Sequence, residues 1–146
     1  MKKKFLLIAI IICILGVFSY RKYAELDESN VKITFYVSNK DATDFTTYKK
    51  RINNNLVEII EELINNKQSC IPKETKVLDA YIKDKIAYIN LNEIYYNDPN
   101  TSSSATNGFK IWSIKYTLLK NEVLNIDKVL FLIEGEPSKG AGVIGF

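Results

Sequence analysis

Histidine is absent from the sequence. That removes the commonest general base, the Ser-His and Cys-His nucleophilic arrangements, and every histidine-containing zinc site. Cysteine is scarce. Cys13 lies in an N-terminal apolar run and Cys70 in the remainder, so no intrachain disulfide is expected. Cys70 has no histidine to activate it and reads as a small, partly buried residue. An excess of charge of one sign is also missing. The net charge is +3, but from Lys32 onward 15 basic residues meet 14 acidic ones. No basic face is expected in the folded part, which argues against nucleic-acid binding.

Glycine numbers only six, yet four of these fall in the closing "IEGEPSKGAGVIGF", at 135, 140, 142 and 145. A phosphate loop needs Gly, four residues, then Gly-Lys-Ser/Thr opening a helix. Gly135 and Gly140 have the spacing, but Ala141 and Gly142 follow and Lys139 precedes. No nucleotide and no cofactor is expected. "EGE" reads as a turn, and the rest as a tail or a short added edge strand.

The one long apolar run lies in "MKKKFLLIAIIICILGVFSYRKY", from Phe5 to Phe18. As a helix it would extend about 21 Å, against a hydrocarbon core of about 30 Å. Such a length suits an uncleaved anchor with snorkelling flanks, the preferred reading, or a signal peptide cleaved after Ser19. Lys2, Lys3 and Lys4 keep the N-terminus inside and the domain outside the cytoplasm. The expected organisation is a signal segment or anchor over 1–20, a tether over 21–30, a domain over 31–136 and a glycine-rich tail over 137–146.

Within the domain, "VKITFYVS" alternates as a half-buried strand, with Val31, Ile33, Phe35 and Val37 on one face. "NKDA" reads as a turn and "FTTYKKRI" as a weaker returning strand. In "NNNLVEIIEELINN", Asn55 and Glu58 suggest a capping box, and Leu56, Ile59, Ile60, Leu63 and Ile64 fall on one helical stripe. Glu58, Glu61 and Glu62 on the other side read as a solvated face plus a cap.

"TKVLDAYIKDKIAYINL" sorts its residues only if Asp84-Lys85 is a two-residue turn. Ile82 then faces Ala87, Ala80 faces Ile89 and Leu78 faces Leu91, while Tyr81 meets Tyr88 and Asp79 meets Asn90. "YYNDPNTSSSATNG" reads as a polar loop. "FKIWSIKYTLLK" follows as a helix with a wide apolar stripe, and "KVLFLI" as a central strand. These elements predict an α+β fold: a two-layer sandwich of a mostly antiparallel sheet with two helices on one face.

On "CIPKETKVLDAYIKDKIAYINLNE" and "IWSIKYTLLKNEVLNIDKVLFLIEGE" the sequence resembles the GerMN domain of sporulation and spore-germination proteins and other bacterial envelope proteins. The first segment is similar to the family's I-P-x-x-T-K-V strand, hairpin and return strand; the second to its helix and final strand. The resemblance implies a fold like the ring-building modules of sporulation channel complexes, no catalytic residues, and action by protein–protein association. Lys85 stands where the family commonly has Gly, in a turn whose left-handed backbone costs a side-chain-bearing residue about 1–2 kcal/mol.

The expected function is thus a non-enzymatic, membrane-tethered module outside the cytoplasm. Its partners would be the membrane, through residues 5–20, and envelope proteins or further copies of itself. Peptidoglycan is the alternative partner, since tyrosines can stack on sugars. The candidate interaction residues are Tyr36, Tyr81, Tyr88, Tyr95 and Tyr96.

Overall fold

The computed structural model describes residues 30–39, 41, 43–97, 104–137 and 144–145. The N-terminal apolar run and the tether up to residue 29 lie outside the described residues.

Strand β1 (Asn30–Ser38) pairs antiparallel with β2 (Phe45–Asn53) over their whole lengths, from Asn30↔Asn53 to Ser38↔Phe45. The alternation read from the sequence sends Ile33, Phe35 and Val37 into the core. Asn39 closes the connection, its Oδ1 accepting the N–H groups of Thr43 (2.8 Å) and Asp44 (3.3 Å).

Helix α1 (Leu56–Asn65) buries the predicted stripe, Leu56, Ile59, Ile60, Leu63 and Ile64. Asn55 is its N-cap, accepting the Val57 N–H at 2.9 Å. The capping box is not completed. The Asn55 N–H is already held by the Asn53 carbonyl at 2.7 Å, and Glu58 instead accepts from the Asn53 side chain. At the other end Lys73 donates to the carbonyls of Ile64 and Asn66, satisfying groups that a helix leaves unpaired.

Strands β3 (Val77–Lys83) and β4 (Ile86–Leu91) form the second hairpin in the predicted register, with Ile82↔Ala87, Tyr81↔Tyr88, Ala80↔Ile89 and Asp79↔Asn90. Both turn residues have positive φ, 51° at Asp84 and 61° at Lys85, as a primed hairpin turn requires. One pairing differs: Val77, not Leu78, stands opposite Leu91. Asn92 is the reason. Its N–H bonds the Lys76 carbonyl and its Oδ1 accepts the Lys76 N–H, so one residue too many lies between Lys76 and Asp79. Leu78 is that residue, bulged and 47% exposed.

After β4 come a short helix α2 (Ile94–Asn97), the long α3 (Ser104–Leu119), a 3-10 turn (Glu122–Leu124) and β5 (Lys128–Ile133). Helix α3 starts inside the stretch read as loop. Ser, Thr, Asn and Gly are weak helix formers, but extending a helix already anchored by buried residues costs little. Strand β5 lies parallel to β4, from Ile86↔Lys128 to Leu91↔Ile133, since the helical crossover returns the chain to the same end. The short strands β6 (Glu136–Pro137) and β7 (Ile144–Gly145) then pair antiparallel with β5. The β5–β6 turn uses Glu134 and Gly135, at φ 50° and 85°.

The single sheet expected from the sequence is therefore two: β1–β2, and a five-stranded sheet ordered β3–β4–β5–β6 with β7 also on β5. The two sheets and helices α1 and α3 share one core cluster. The sheets stay apart because the free edge of β1 is bonded to side chains of α3 and to that of Asn121 just beyond its end. The N–H groups of Ser38, Tyr36 and Thr34 donate to Ser113 Oγ (3.1 Å), Thr117 Oγ1 (3.0 Å) and Asn121 Oδ1 (2.9 Å). Four residues of helix advance about 6 Å and two of strand about 6.6 Å, so the two ladders stay in step. Asn121 also donates to the carbonyls of Thr34 and Thr117.

Candidate interaction surface

Strand alternation gives the five-stranded sheet an inner and an outer face. Ala87, Ile89, Leu91, Val129 and Phe131 point inward and are buried. Ile86, Tyr88, Leu130 and Leu132 point outward, are only half-buried, and take no part in the core cluster. The register sets Tyr81, Tyr88 and Leu130 in one row across three strands. The Tyr81 and Tyr88 rings stack with centroids 5.0 Å apart and an angle of 11°, while Tyr81 remains 46% exposed. Cross-strand contact and exposed surface thus coexist in one pair, because each ring covers one face of the other and leaves the second open.

The other candidate tyrosines do not join this row. Tyr36 lies on β1, its ring 5.9 Å from that of Tyr116 on α3. Tyr95 offers no surface. It is 1% exposed, stacks on Phe131 at 6.1 Å, and has a hydroxyl without a hydrogen-bond partner among the described residues. Helix α2 is responsible: the Tyr95 N–H bonds the Asn92 carbonyl, and that turn drives the side chain under the sheet's end. Burial pushes its phenol well above the ordinary range. Tyr96 is half-buried, edge-on to Tyr95 at 5.7 Å.

The remaining chemistry-bearing groups are engaged in structure. Cys70 Sγ lies 2.7 Å from Ser38 Oγ, which in turn accepts from Ser113 Oγ at 3.0 Å. Burial pushes the thiol up, and the Ser38 hydroxyl and the nearby Lys110 ammonium only partly oppose this. The thiolate needed for nucleophilic attack is therefore disfavoured at neutral pH. Lys110, 1% exposed, donates to the Tyr95 carbonyl at 3.0 Å. Of the α1 carboxylates, Glu62 accepts from the Tyr48 hydroxyl (3.0 Å) and Lys50 Nζ (2.7 Å), and Glu58 from Asn53. Burial, with a further push from the Glu62 charge, raises the Tyr48 phenol to about 12. Among the described residues no group of three or more metal-ligating side chains comes together.

The sequence pointed to the tyrosines but missed the Ser113, Thr117, Asn121 ladder. Its signal was there: three small polar residues at intervals of four, two between apolar residues on the helix and the third just past its end.

No curated protein matches the chain. Among solved structures, it is similar to the first GerMN domain of the sporulation protein GerM from Bacillus subtilis, at 20% identity and a TM-score of 0.56, covering 79% of this chain and 91% of that one. It is also similar to the tandem GerMN domains of the same protein, at 17% identity and a TM-score of 0.51, covering 80% of this chain and 44% of that one. At these identities the likeness speaks for the fold. The family model Germane, described as sporulation and spore germination, matches residues 32–139, and this chain belongs to that family.

Proposed function

We propose that the protein is a non-catalytic module, tethered to the membrane with its domain outside the cytoplasm, that assembles with envelope proteins or further copies of itself during sporulation or spore germination. The observation that carries this reading is the partly exposed outer face of the five-stranded sheet. A row of Tyr81, Tyr88 and Leu130, flanked by Ile86 and Leu132, forms a contiguous amphipathic surface on rigid, paired strands. The apolar run Phe5–Phe18 and the lysines before it support the tether and its direction.

The test is photocrosslinking in intact cells, with a photoreactive residue placed at Tyr81 or Tyr88 of the full chain. Adducts with specific envelope proteins or with a second copy are expected from both positions. Labelling no stronger than from Glu61, on the exposed side of α1, would sink the proposal.

A glycan-binding module is the second reading, favoured by the exposed tyrosine pair. Because the two rings stack on each other, they form a narrow ledge rather than two open platforms, which favours a protein partner. Co-sedimentation of the full chain, in detergent, with purified peptidoglycan separates the two. Pelleting that Tyr81→Ala abolishes would reverse the preference.

A further inference from the structure

The balance of charge along the chain conceals a segregation among elements. β1, β2 and α3 together carry six basic residues and no acidic one. From residue 32 on, that leaves nine basic against fourteen acidic for everything else. Counts along a chain do not report which residues share a surface.

The register assigns three of these charges, Lys32, Lys49 and Arg51, to one side, while Lys50 pairs with Glu62 on the other and Lys110 and Lys115 are buried. Ile33, Phe35 and Val37 take the inner face of the first hairpin together with their partners Lys50, Tyr48 and Thr46. The outer face therefore holds Lys32 opposite Arg51, Thr34 opposite Lys49 and Tyr36 opposite Thr47, and it ends at Phe45, whose partner Ser38 is buried against Ser113. Helix α3 lies along the β1 edge and extends this face. Tyr116 packs against Tyr36 (5.9 Å), Phe45 (5.4 Å) and Trp112 (5.0 Å), and Phe45 meets Phe109 at 4.9 Å. Each of these five aromatic side chains is partly exposed. Lys120 reaches over the Tyr116 ring at 5.4 Å. Along β1 the face thus passes from an aromatic end, at Phe45 and Phe109, to a basic end at Lys32, Lys49 and Lys120. The two ends are about 13–20 Å apart at the strand rise.

From this arrangement we propose that the β1–β2–α3 face docks on the surface of a membrane containing anionic phospholipids. Three observations favour that occupant. Half-buried Trp and Tyr side chains, with apolar bodies and polar tips, suit the headgroup level of a bilayer, and the Phe side chains beside them add apolar area. Lysines without an acidic neighbour on the same elements complement anionic headgroups, each contributing near the surface. The chain also enters the domain at the basic end, since β1 begins at Asn30 beside Asn53. If the apolar run is in the bilayer, the residues 21–30 that follow reach at most about 35 Å. This last point rests on the tether proposed above; the first two do not. The domain would then lie on the membrane by this face while the Tyr81–Tyr88 face stays available for protein partners.

Trp112 is the one tryptophan in the sequence and lies on the aromatic part of the face, so its fluorescence reports docking directly. The full chain is reconstituted into phosphatidylcholine vesicles with or without about one-third phosphatidylglycerol, each carrying a headgroup-level spin-label quencher. Flotation measures attachment independently of the fluorescence. Docking predicts a blue-shifted Trp112 emission and strong quenching in anionic vesicles, both reversed by high salt. Lys32→Glu with Lys49→Glu should return the emission to that in neutral vesicles, each lost lysine weakening contact about fivefold. Tyr81→Ala should leave it unchanged.

Chain that floats with both vesicle types but shows equal, weak quenching overturns this inference and leaves the tether standing. Flotation only with anionic vesicles, stripped by salt, supports docking and removes the tether. Absence of flotation altogether overturns both. A Trp112 response to soluble anionic cell-wall polymer but not to vesicles assigns the face to that polymer and overturns membrane docking.

Discussion

The two hairpins of this domain solve the same problem differently. Each has a strand edge that must not be left with unpaired backbone inside the protein. Hairpin β3–β4 gives its edge to another strand, so β4 is bonded along its length to the parallel β5. Hairpin β1–β2 gives its edge to side chains, the ladder of Ser113 and Thr117 on α3 and Asn121 just past its end. Backbone pairing tolerates many sequences, because every residue but proline carries the same two groups. The side-chain solution tolerates few, since each rung depends on one residue type at one helical position. It also has a consequence for surfaces. A strand partner extends the sheet with another alternating strand, as β5 adds Leu130 and Leu132 to the outer face. A helix partner leaves β1–β2 as a two-stranded ribbon and places its own aromatic residues beside the ribbon's outer face.

That contrast can be broken most strongly at the rung with the most bonds. Asn121→Leu removes three hydrogen bonds and leaves Thr34 N–H and C=O without their partner at a partly buried site. A loss of about 2–4 kcal/mol in urea unfolding is expected. The matching change in the second hairpin has no equivalent, because no single side chain holds β4 to β5. Thr117→Val keeps shape and removes one rung, the bond to the Tyr36 N–H, and should cost about 1–2 kcal/mol. A cost equal to that of Asn121→Leu would mean the rungs act as one cooperative unit.

Lys115 separates the clasp from the mere presence of the helix. It lies on the same α3, is fully buried, and its Nζ has no hydrogen-bond partner among the described residues, resting instead 5.4 Å from the Trp112 ring centroid. Burial holds its ammonium below the usual lysine range. Lys115→Met should stabilise the protein by about 1 kcal/mol at pH 7. The folded state binds fewer protons than the unfolded chain between the lowered and the ordinary lysine pKa. The penalty of the charged form is therefore full below the lowered value and is relieved as pH rises through it. The advantage of the Met variant should shrink accordingly in thermal melts taken at rising pH.

The smallest effect belongs to the second hairpin's turn. Lys85 has φ 61°, and glycine there relieves left-handed strain while giving up only an exposed 3.6 Å ion pair with Asp127. After the entropy glycine loses on folding, Lys85→Gly should gain about 0.5–1 kcal/mol and raise the melting temperature. An unchanged or lower melting temperature would show that the contacts of Lys85 outweigh its backbone strain.

Much of this was legible in the chain itself. The burial stripe of α1, the alternation of β1 and the register of β3–β4 from Asp79 to Lys83 follow from apolar spacing, which the structure reproduces. The failures share a cause. Simple alternation puts Leu78 on the inner face, but the Asn92 side chain binds the backbone of Lys76 and forces a bulge there. Tyr95 was read as exposed because its neighbours are polar, although α2 turns it beneath the sheet. The capping box failed because the Asn55 N–H was already taken by Asn53. In each case a polar side chain or a local backbone bond decided the geometry, and such bonds have no periodicity to read.

By itself the sequence determined the elements, their apolar faces and the sharp turn at Asp84-Lys85, because these depend on spacing within a few residues. It also carried the resemblance that the family match bears out. Only the tertiary structure decided that the strands form two sheets, that β5 lies parallel to β4, and that Lys32, Lys49 and Arg51 share one face. Those outcomes rest on contacts between residues as far apart as Thr34 and Asn121. Whether an edge meets a strand or a helix depends on three-dimensional registry that no local pattern encodes.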